Sequence, residues 1–372
     1  IFTLRVQKIM DKSLIDYLKQ IPDYRDPHGC RHPLWLVLVI IIMGMMSGYW
    51  GYRQLGRFVE RHRRELIKRL QIPKSRVPSY STIRRVMLTL NYEELQIVFN
   101  QWSKQYSLIP SSEWISIDGK SLKNTVSNYD NAEQNFINCV SAFSHQRKLV
   151  LGVKMSENQR ESEINVVRDL IELLDLTGVV FTFDALHCQK KTLIAIALSG
   201  NDYLVKVKTN QPKLYKQIET ASNQQKPRQT VKHIEQTRDR NSYRQVEVFE
   251  PPENLDPKWI GVGCVIKVER TGTRSHQPYQ SISYYLCSLS SQSQRLADGI
   301  RGHWLIENSL HWVKDVIYEE DISPQKAGFA PRNLSLLKTW VLTFLRVHGF
   351  DSIKGAIGEM SHNIGYMLTF CT

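Results

Sequence analysis

The chain has few of the features that would mark it as a secreted, disulfide-built or membrane protein. Its six cysteines, Cys30, Cys139, Cys188, Cys264, Cys287 and Cys371, are scattered and form no CxxC pair. Neither a zinc finger nor a disulfide framework follows from that spacing, and a reducing, cytoplasmic setting is expected. Long apolar runs are scarce too. The one candidate, Leu34 to Trp50, falls short of the roughly 20 residues a spanning helix needs, and it contains Gly44, Ser47 and Gly48 between basic flanks. It predicts a buried helix, and no membrane partner is expected. Residues 1–9 carry Arg5 and Lys8 without a long apolar core or a cleavage-like site, so they do not read as a signal peptide, although the chain opens on Ile rather than Met. Internal repeats and long low-complexity runs are absent.

Acidic residues are also in short supply, with 36 Asp and Glu against 49 Lys and Arg, a formal charge of +13. The deficit is local. Residues 1–112 hold 18 basic and 8 acidic side chains, a net +10, whereas the remainder holds 31 and 28, a net +3. A polyanionic partner, met mainly by the N-terminal part, is the physical reading. At 372 residues and 42% hydrophobic, the chain can fill two or three packed units.

Residues 1–112 read as a helical, basic domain suited to binding DNA. From Gly51 to Leu70, Arg53, Arg57, Arg61, Arg64 and Lys68 recur at helical spacing, with Leu55, Val59, Leu66 and Leu70 on the rest of the surface. This predicts an amphipathic helix whose cationic stripe is either a solvated face or a phosphate contact. Pro78 to Thr82 offers hydroxyl caps for a helix beginning near Ile83, with Arg84 and Arg85 in its first turn as candidate DNA contacts.

From Trp114 the period changes to that of an α/β sheet. Residues 114–118, 136–143 and 148–155 predict three strands, 164–176 a helix, 179–184 a buried strand, 189–198 a helix and 202–208 another strand. That order matches the ribonuclease-H-like plan of a mixed sheet flanked by helices. A first part of this core over 113–208, a β-rich insertion over 209–290, helices over 291–345 and a tail over 346–372 complete the expected organisation.

Three acidic residues occupy informative places in that plan: Asp118 closing the first strand, Asp184 closing the fourth, and Glu307 in a Trp- and His-rich helical stretch. Carboxylates at adjacent strand tips, joined by one from a late helix, suit a pair of hard divalent cations for phosphodiester chemistry. Taken singly, an Asp at a strand end is usually a turn or cap residue, so the joint placement carries the expectation. His303, Glu307 and His311 share a helix face, but the run lacks the HExxH of zinc hydrolases, and His303 and His311 are expected to touch DNA or to order the glutamate. Trp304 and Trp312 read as core residues. Lys206, Lys208, Asn210 and Gln211 follow a strand beside the expected site and suit phosphate contact.

Several segments are specific. Ile-Pro-Asp-Tyr-Arg-Asp-Pro at 21–27, Ile117-Asp118-Gly119-Lys120-Ser121-Leu122-Lys123, Val140-Ser141-Ala142-Phe143, Phe183-Asp184-Ala185-Leu186-His187-Cys188-Gln189 and Lys206-Val207-Lys208-Thr209-Asn210-Gln211 are followed by the run from Ile300 to Trp312, then Asp315 and Glu320-Asp321. Together they resemble the insertion-sequence transposases of the H-repeat-associated family, a branch of the DDE transposases. The resemblance implies metal-dependent cleavage at the terminal inverted repeats of a mobile element and strand transfer into target DNA. It implies Asp118, Asp184 and Glu307 as catalytic and metal-binding residues, Mg²⁺ or Mn²⁺ as cofactor, double-stranded DNA as partner and a homodimer in a synaptic complex near the nucleoid. Lys314, seven residues after Glu307, matches a lysine of related transposases and falls two α-helical turns on, placed to hold a phosphate.

The chain departs from the family pattern in three places. Ile300 and His303 stand where Tyr and Arg are usual, with Arg301 displaced; Arg160-Glu161-Ser162-Glu163 replaces Lys-Ser-Asn-Glu; and Arg238-Asp239-Arg240-Asn241-Ser242 replaces His-Gly-Arg. A nuclease of the same fold that cuts without joining and a non-catalytic DNA-binding protein remain alternatives at this level.

Overall fold

The computed structural model describes residues 12–106, 109–127, 135–237, 240–274, 277–290, 293–361 and 363–372. The N-terminal segment weighed above and Arg238-Asp239 of the basic run lie outside them.

The N-terminal region is helical, as expected. After α1 (Leu14–Leu18) comes α2 (Leu34–Met46), apolar all round and therefore buried all round, Trp35 excepted. Among the described residues no helix is long and apolar enough to cross a membrane. The stripe expected on one helix is carried by two, α3 (Tyr52–Arg61) and α4 (Arg63–Leu70). His62 leaves helical geometry between them (φ −103°, ψ 14°) and buries its ring beside Phe58. Arg53, Arg57, Arg61, Arg64 and Lys68 are all exposed. α5 (Tyr80–Thr89) starts three residues earlier than expected, because Ser79 Oγ accepts the Thr82 N–H at 3.3 Å. Arg84 and Arg85 stand exposed in its middle. α6 (Tyr92–Lys104) closes the region.

The sheet is built from β1 (Trp114–Ser127), β2 (Asn135–Ser144), β3 (Val150–Glu157), then α7 (Glu163–Leu174), β4 (Val180–Phe183), α8 (Lys190–Leu198) and β5 (Asp202–Val207). These five strands lie in the order β3-β2-β1-β4-β5, with β1, β4 and β5 parallel and β2 and β3 antiparallel, a mixed α/β arrangement consistent with the ribonuclease-H-like fold. The insertion begins with an unanticipated helix, α9 (Pro212–Gln224), and continues as β6 (Gln229–Thr237), β7 (Arg240–Phe249), β8 (Cys264–Arg274) and β9 (Gln277–Cys287). It is not a detached lobe. β9 pairs antiparallel with β5, Leu204 opposite Cys287, so the insertion extends the same sheet to nine strands.

β3 is an edge strand, and edges expose unpaired backbone groups. One face of α6 satisfies them. Gln96 Oε1 accepts the Met155 N–H at 2.8 Å, Asn100 exchanges two 2.9 Å bonds with Val153, and Ser103 Oγ donates to the Leu151 carbonyl at 2.6 Å. Spacings of four and three along the helix thus match the two-residue repeat of the strand, and the helical region is fastened to the sheet.

After the sheet come α10 (Ser293–Gly302) and α11 (Trp304–Ile306), which runs into two π-helical segments, Glu307–His311 and Val313–Ile317. α12 (Ala330–Val347), α13 (Ile353–Met360) and α14 (Ile364–Cys371) follow. α12 is buried along most of its length and packs against α2, α5 and α6, within one apolar core that reaches from Leu14 to Cys371.

Candidate active site

β1 continues well past the apolar run that suggested it, so Asp118 does not end the strand. It stands just beyond the β1–β4 ladder instead. The parallel pairing of β1 with β4 stops at Ser116 opposite Thr182, and Asp118 and Asp184 each lie two residues further on. The two aspartates therefore leave adjacent strands at the same level and line one cleft with Glu307, Lys206, Lys208 and His303.

Beneath them, on the same strand faces, Ser116 and Thr182 anchor the helix that brings Glu307. Thr182 Oγ1 lies 3.0 Å from His303 Nδ1, and Ser116 Oγ donates to the His303 carbonyl at 3.2 Å and meets His145 Nε2 at 2.7 Å. Burial pushes His303 down to about 4 and His145 to about 3, so both are neutral near pH 7 and act as fixed hydrogen-bonding groups. Gly302 is required at the crossing, since a Cβ there would collide with the His145 ring.

Glu307 is half exposed, and its Oε2 lies 3.0 Å from Nδ1 of buried His311, which is also 3.6 Å from Asp118 Oδ2. Asp118, Glu307 and His311 each offer a ligand atom within 4.8 Å of the others, the group among the described residues able to share a metal ion. Asp184 lines the same cleft outside that compact set, with Oδ1 accepting the Leu186 N–H at 2.9 Å as the cap of the turn Ala185–His187. Burial pushes the Asp118 carboxyl up to about 6; His311 opposes this, and the charges of Asp184 and Glu163 add to it. Glu307, with more water around it, is held below the usual carboxylate range by the His311 hydrogen bond. The centre is short of positive charge, and its donor set of carboxylate oxygens with one imidazole suits a divalent cation such as Mg²⁺ or Mn²⁺.

The remaining expected contacts divide. Lys208 is exposed and Lys206 half buried in the cleft wall, where burial, with Lys208 and Arg270, lowers the Lys206 ammonium. Arg301 is exposed on α10. Asn210 and Gln211 turn instead toward the loop behind Asp184: Asn210 Nδ2 donates to the Ala185 carbonyl at 2.7 Å and Gln211 Nε2 to the Cys188 carbonyl at 2.9 Å. Lys314 does not face the cleft. It is buried, with Nζ 2.9 Å from Ser335 Oγ and 3.3 Å from Glu320 Oε1. The reason is the winding. In an α-helix the seventh residue returns to the starting face, but here the Trp312 N–H reaches back to the Glu307 carbonyl and Tyr318 N–H to Val313, five residues each. Wider turns advance each residue by a smaller angle, and Lys314 comes round to the interior. Trp304 and Trp312, expected in the core, are each 51% exposed, and Trp304 borders the cleft.

Comparison with known proteins gives the family. A family model described as "Transposase DDE domain" matches residues 110–324, and one described as "DDE_Tnp_1-associated" matches residues 15–103. The chain belongs to the DDE transposase family. It is 28% identical over 348 residues to the "H repeat-associated putative transposase YhhI" of Escherichia coli strain K12, covering 90% of each chain. With the "Putative transposase YncI" of Escherichia coli O157:H7 it shares 30% identity over 357 residues, 93% of this chain and 90% of the other. DNA is therefore the partner class, and divalent metal ions are what this family normally uses.

Two features of the site escaped sequence reading. His311 was visible on the Glu307 face, yet nothing in the sequence showed that Asp118 would meet it. Glu163, in a run that departs from the family pattern, lies against Gly119, beside Asp118.

Proposed function

We propose that this transposase cleaves the ends of an insertion sequence and joins the freed 3′-hydroxyl to target DNA, using Asp118, Asp184 and Glu307 as its catalytic and metal-binding residues. One observation carries the proposal: two aspartates at matched positions on adjacent parallel strands share a cleft with Glu307, while Asp118, Glu307 and His311 stand close enough to share an ion. Two bound cations would neutralise charge on the attacking and leaving oxygens of an in-line displacement. Asp118 is suited to serve both positions because it is central. His311 orders Glu307, and His303 holds the start of its helix against β1 and β4. Lys208 and Lys206 offer positive charge to a phosphate at the cleft mouth, while exposed Arg301, Arg84, Arg85 and the α3–α4 stripe offer it along the flanking duplex. Hydrolysis breaks a phosphodiester bond and frees a 3′-hydroxyl. In the second step that hydroxyl displaces a strand of target DNA at its phosphorus, so bonds broken and formed balance without an external energy source. The working assembly is a dimer holding both ends, in the cytoplasm at the nucleoid.

The test is a duplex carrying an element end, incubated with Mg²⁺ or Mn²⁺. The wild-type protein should nick it and give strand-transfer products with a target plasmid; Asp184→Asn should do neither. Equal cleavage by both proteins removes Asp184 from the mechanism, and cleavage without joined products reduces the protein to a nuclease.

A further inference from the structure

Ladder pairing between β1 and β4 ends at Ser116 and Thr182, so although β2 holds Asp118 and β5 holds Phe183, no backbone pair ties Asp118 to Asp184 directly, and side chains span that gap. On one side, Asn210 and Gln211 hold the carbonyls of Ala185 and Cys188. On the other stands Glu163, in the first turn of α7. Its carboxylate lies over the bare α-carbon of Gly119, where a Cβ would come within 2.5 Å of the Glu163 Cδ. One carboxylate oxygen lies 3.1 Å from Nε2 of His187, and the other accepts from Asn138 Nδ2 at 3.3 Å. His187 is fully buried, three residues after Asp184, and its Nδ1 has no hydrogen-bond partner among the described residues. The pair therefore uses Nε2–H as donor and the carboxylate as acceptor, and among the described residues it is the hydrogen bond this imidazole makes.

We infer that Glu163 and His187 form a clamp that sets the distance between the Asp118 strand and the Asp184 turn, Glu163 and His187 acting as positioning residues for the metal centre. Glu163 reaches from a third element into the gap the ladder leaves: it presses on Gly119, takes its lateral support from β2 through Asn138, and holds the Asp184 turn through His187. Gly119 is glycine because the clamp occupies the place of its side chain. The inference rests on the proposed metal centre and adds residues that the acidic triad does not include.

The test reads metal binding rather than turnover, by Mn²⁺ titration followed by electron paramagnetic resonance on the full chain. Loss of a partner behind metal ligands typically weakens affinity by about 10- to 100-fold, and Glu163→Ala and His187→Phe should each show a loss of that order. Glu163→Gln still accepts from His187 once Asn138 turns its amide, so it should keep wild-type affinity. If Glu163→Ala does not fold, His187→Phe and Glu163→Gln decide between them. Unchanged affinity in His187→Phe overturns the clamp. So does a Glu163→Gln loss as large as that of Glu163→Ala, which would show that the charge of Glu163 acts rather than its hydrogen bond. A wild-type protein that binds no Mn²⁺ sinks the metal centre itself, an outcome distinct from intact binding that ignores the clamp.

Discussion

Replacing Asp118 by Asn should stabilise the metal-free protein while abolishing its chemistry. The carboxyl is moved from 3.8 to about 6, chiefly by burial, with Asp184 and Glu163 contributing like charge. A displacement of that size corresponds to about 3 kcal/mol of preference for the neutral form in the fold. That is an upper figure, since 28% of the side chain still meets solvent. Below pH 3.8 the carboxyl is neutral in both folded and unfolded chains and contributes nothing. Between there and about pH 6 the folded protein keeps a proton that the unfolded chain has released, so stability falls as pH rises, and above pH 6 the whole penalty is present. Asparagine has nearly the same shape and no charge to desolvate. In urea titrations with EDTA, Asp118→Asn should exceed wild type by up to about 3 kcal/mol at pH 7.5, and the gap should close toward pH 4. Adding Mn²⁺ should narrow or reverse the order, because the ion stabilises the fold that binds it. A variant no more stable than wild type at pH 7.5, or a gap that persists unchanged at pH 4, would refute the claim that this carboxylate is held at a cost in the absence of metal.

Further consequences concern the charges around the site. Glu320 is buried between Lys314 and Lys338, and burial already pulls Lys338 down to about 8. Glu320→Ala strands both ammoniums and should lower stability by about 3–5 kcal/mol, read as a fall in urea midpoint; no shift would show that water reaches these lysines. Lys120 Nζ lies 2.7 Å from Asp315 and 3.5 Å from Asp321, tying β1 to the segment behind Glu307. Lys120→Met should speed amide exchange across residues 307–317 and lower kcat while leaving DNA affinity unchanged; a loss of affinity alone would make Lys120 a DNA contact instead. Replacing both Arg57 and Arg61 by Gln should reduce the salt dependence of DNA binding by about two phosphate contacts, a slope change near 1.8. An unaltered slope would mark the stripe as a solvated face.

The ribonuclease-H-like core was legible because its strands are short apolar runs separated by amphipathic helices, patterns set by local burial. Three things were not. The end of β1 hides in the mostly polar run from Lys120 to Ser127, broken by Leu122 and Val126, where strand is kept by pairing with β2 rather than by apolar composition. α9 lies in polar sequence, Lys213 to Gln224, whose four buried residues hardly stand out from a loop. The joining of the insertion to β5 is a contact between residues more than 80 apart, Leu204 with Cys287, and no local period encodes it. The region of α6 is instructive in the opposite sense: Gln96, Asn100 and Ser103 read as ordinary polar helix positions, and their spacing acquires meaning once the edge of β3 is beside them.

At the site, residue types were readable and residue directions were not. Asp118, Asp184 and Glu307 could be singled out as candidates from the sequence, and the structure brings the three to one cleft. What each flanking side chain does depends on geometry that one-dimensional spacing assumes rather than reveals. Seven residues mean the same face on an α-helix, and that assumption sent Lys314 toward the DNA; five-residue hydrogen bonds turn it into the interior, to Glu320 and Ser335. The same winding leaves His311 within 3.0 Å of Glu307, so the pair four apart survives while the pair seven apart does not. π-Helical turns are rare and cluster at functional sites. Here the wide turns let one segment meet two demands at once, Glu307 and His311 facing the carboxylates and Lys314 entering the buried ionic cluster. An α-helical turn restored by deleting one residue between His311 and Lys314 would rotate one of those sets out of place, and a loss of Mn²⁺ binding or of fold stability, one without the other, would tell which.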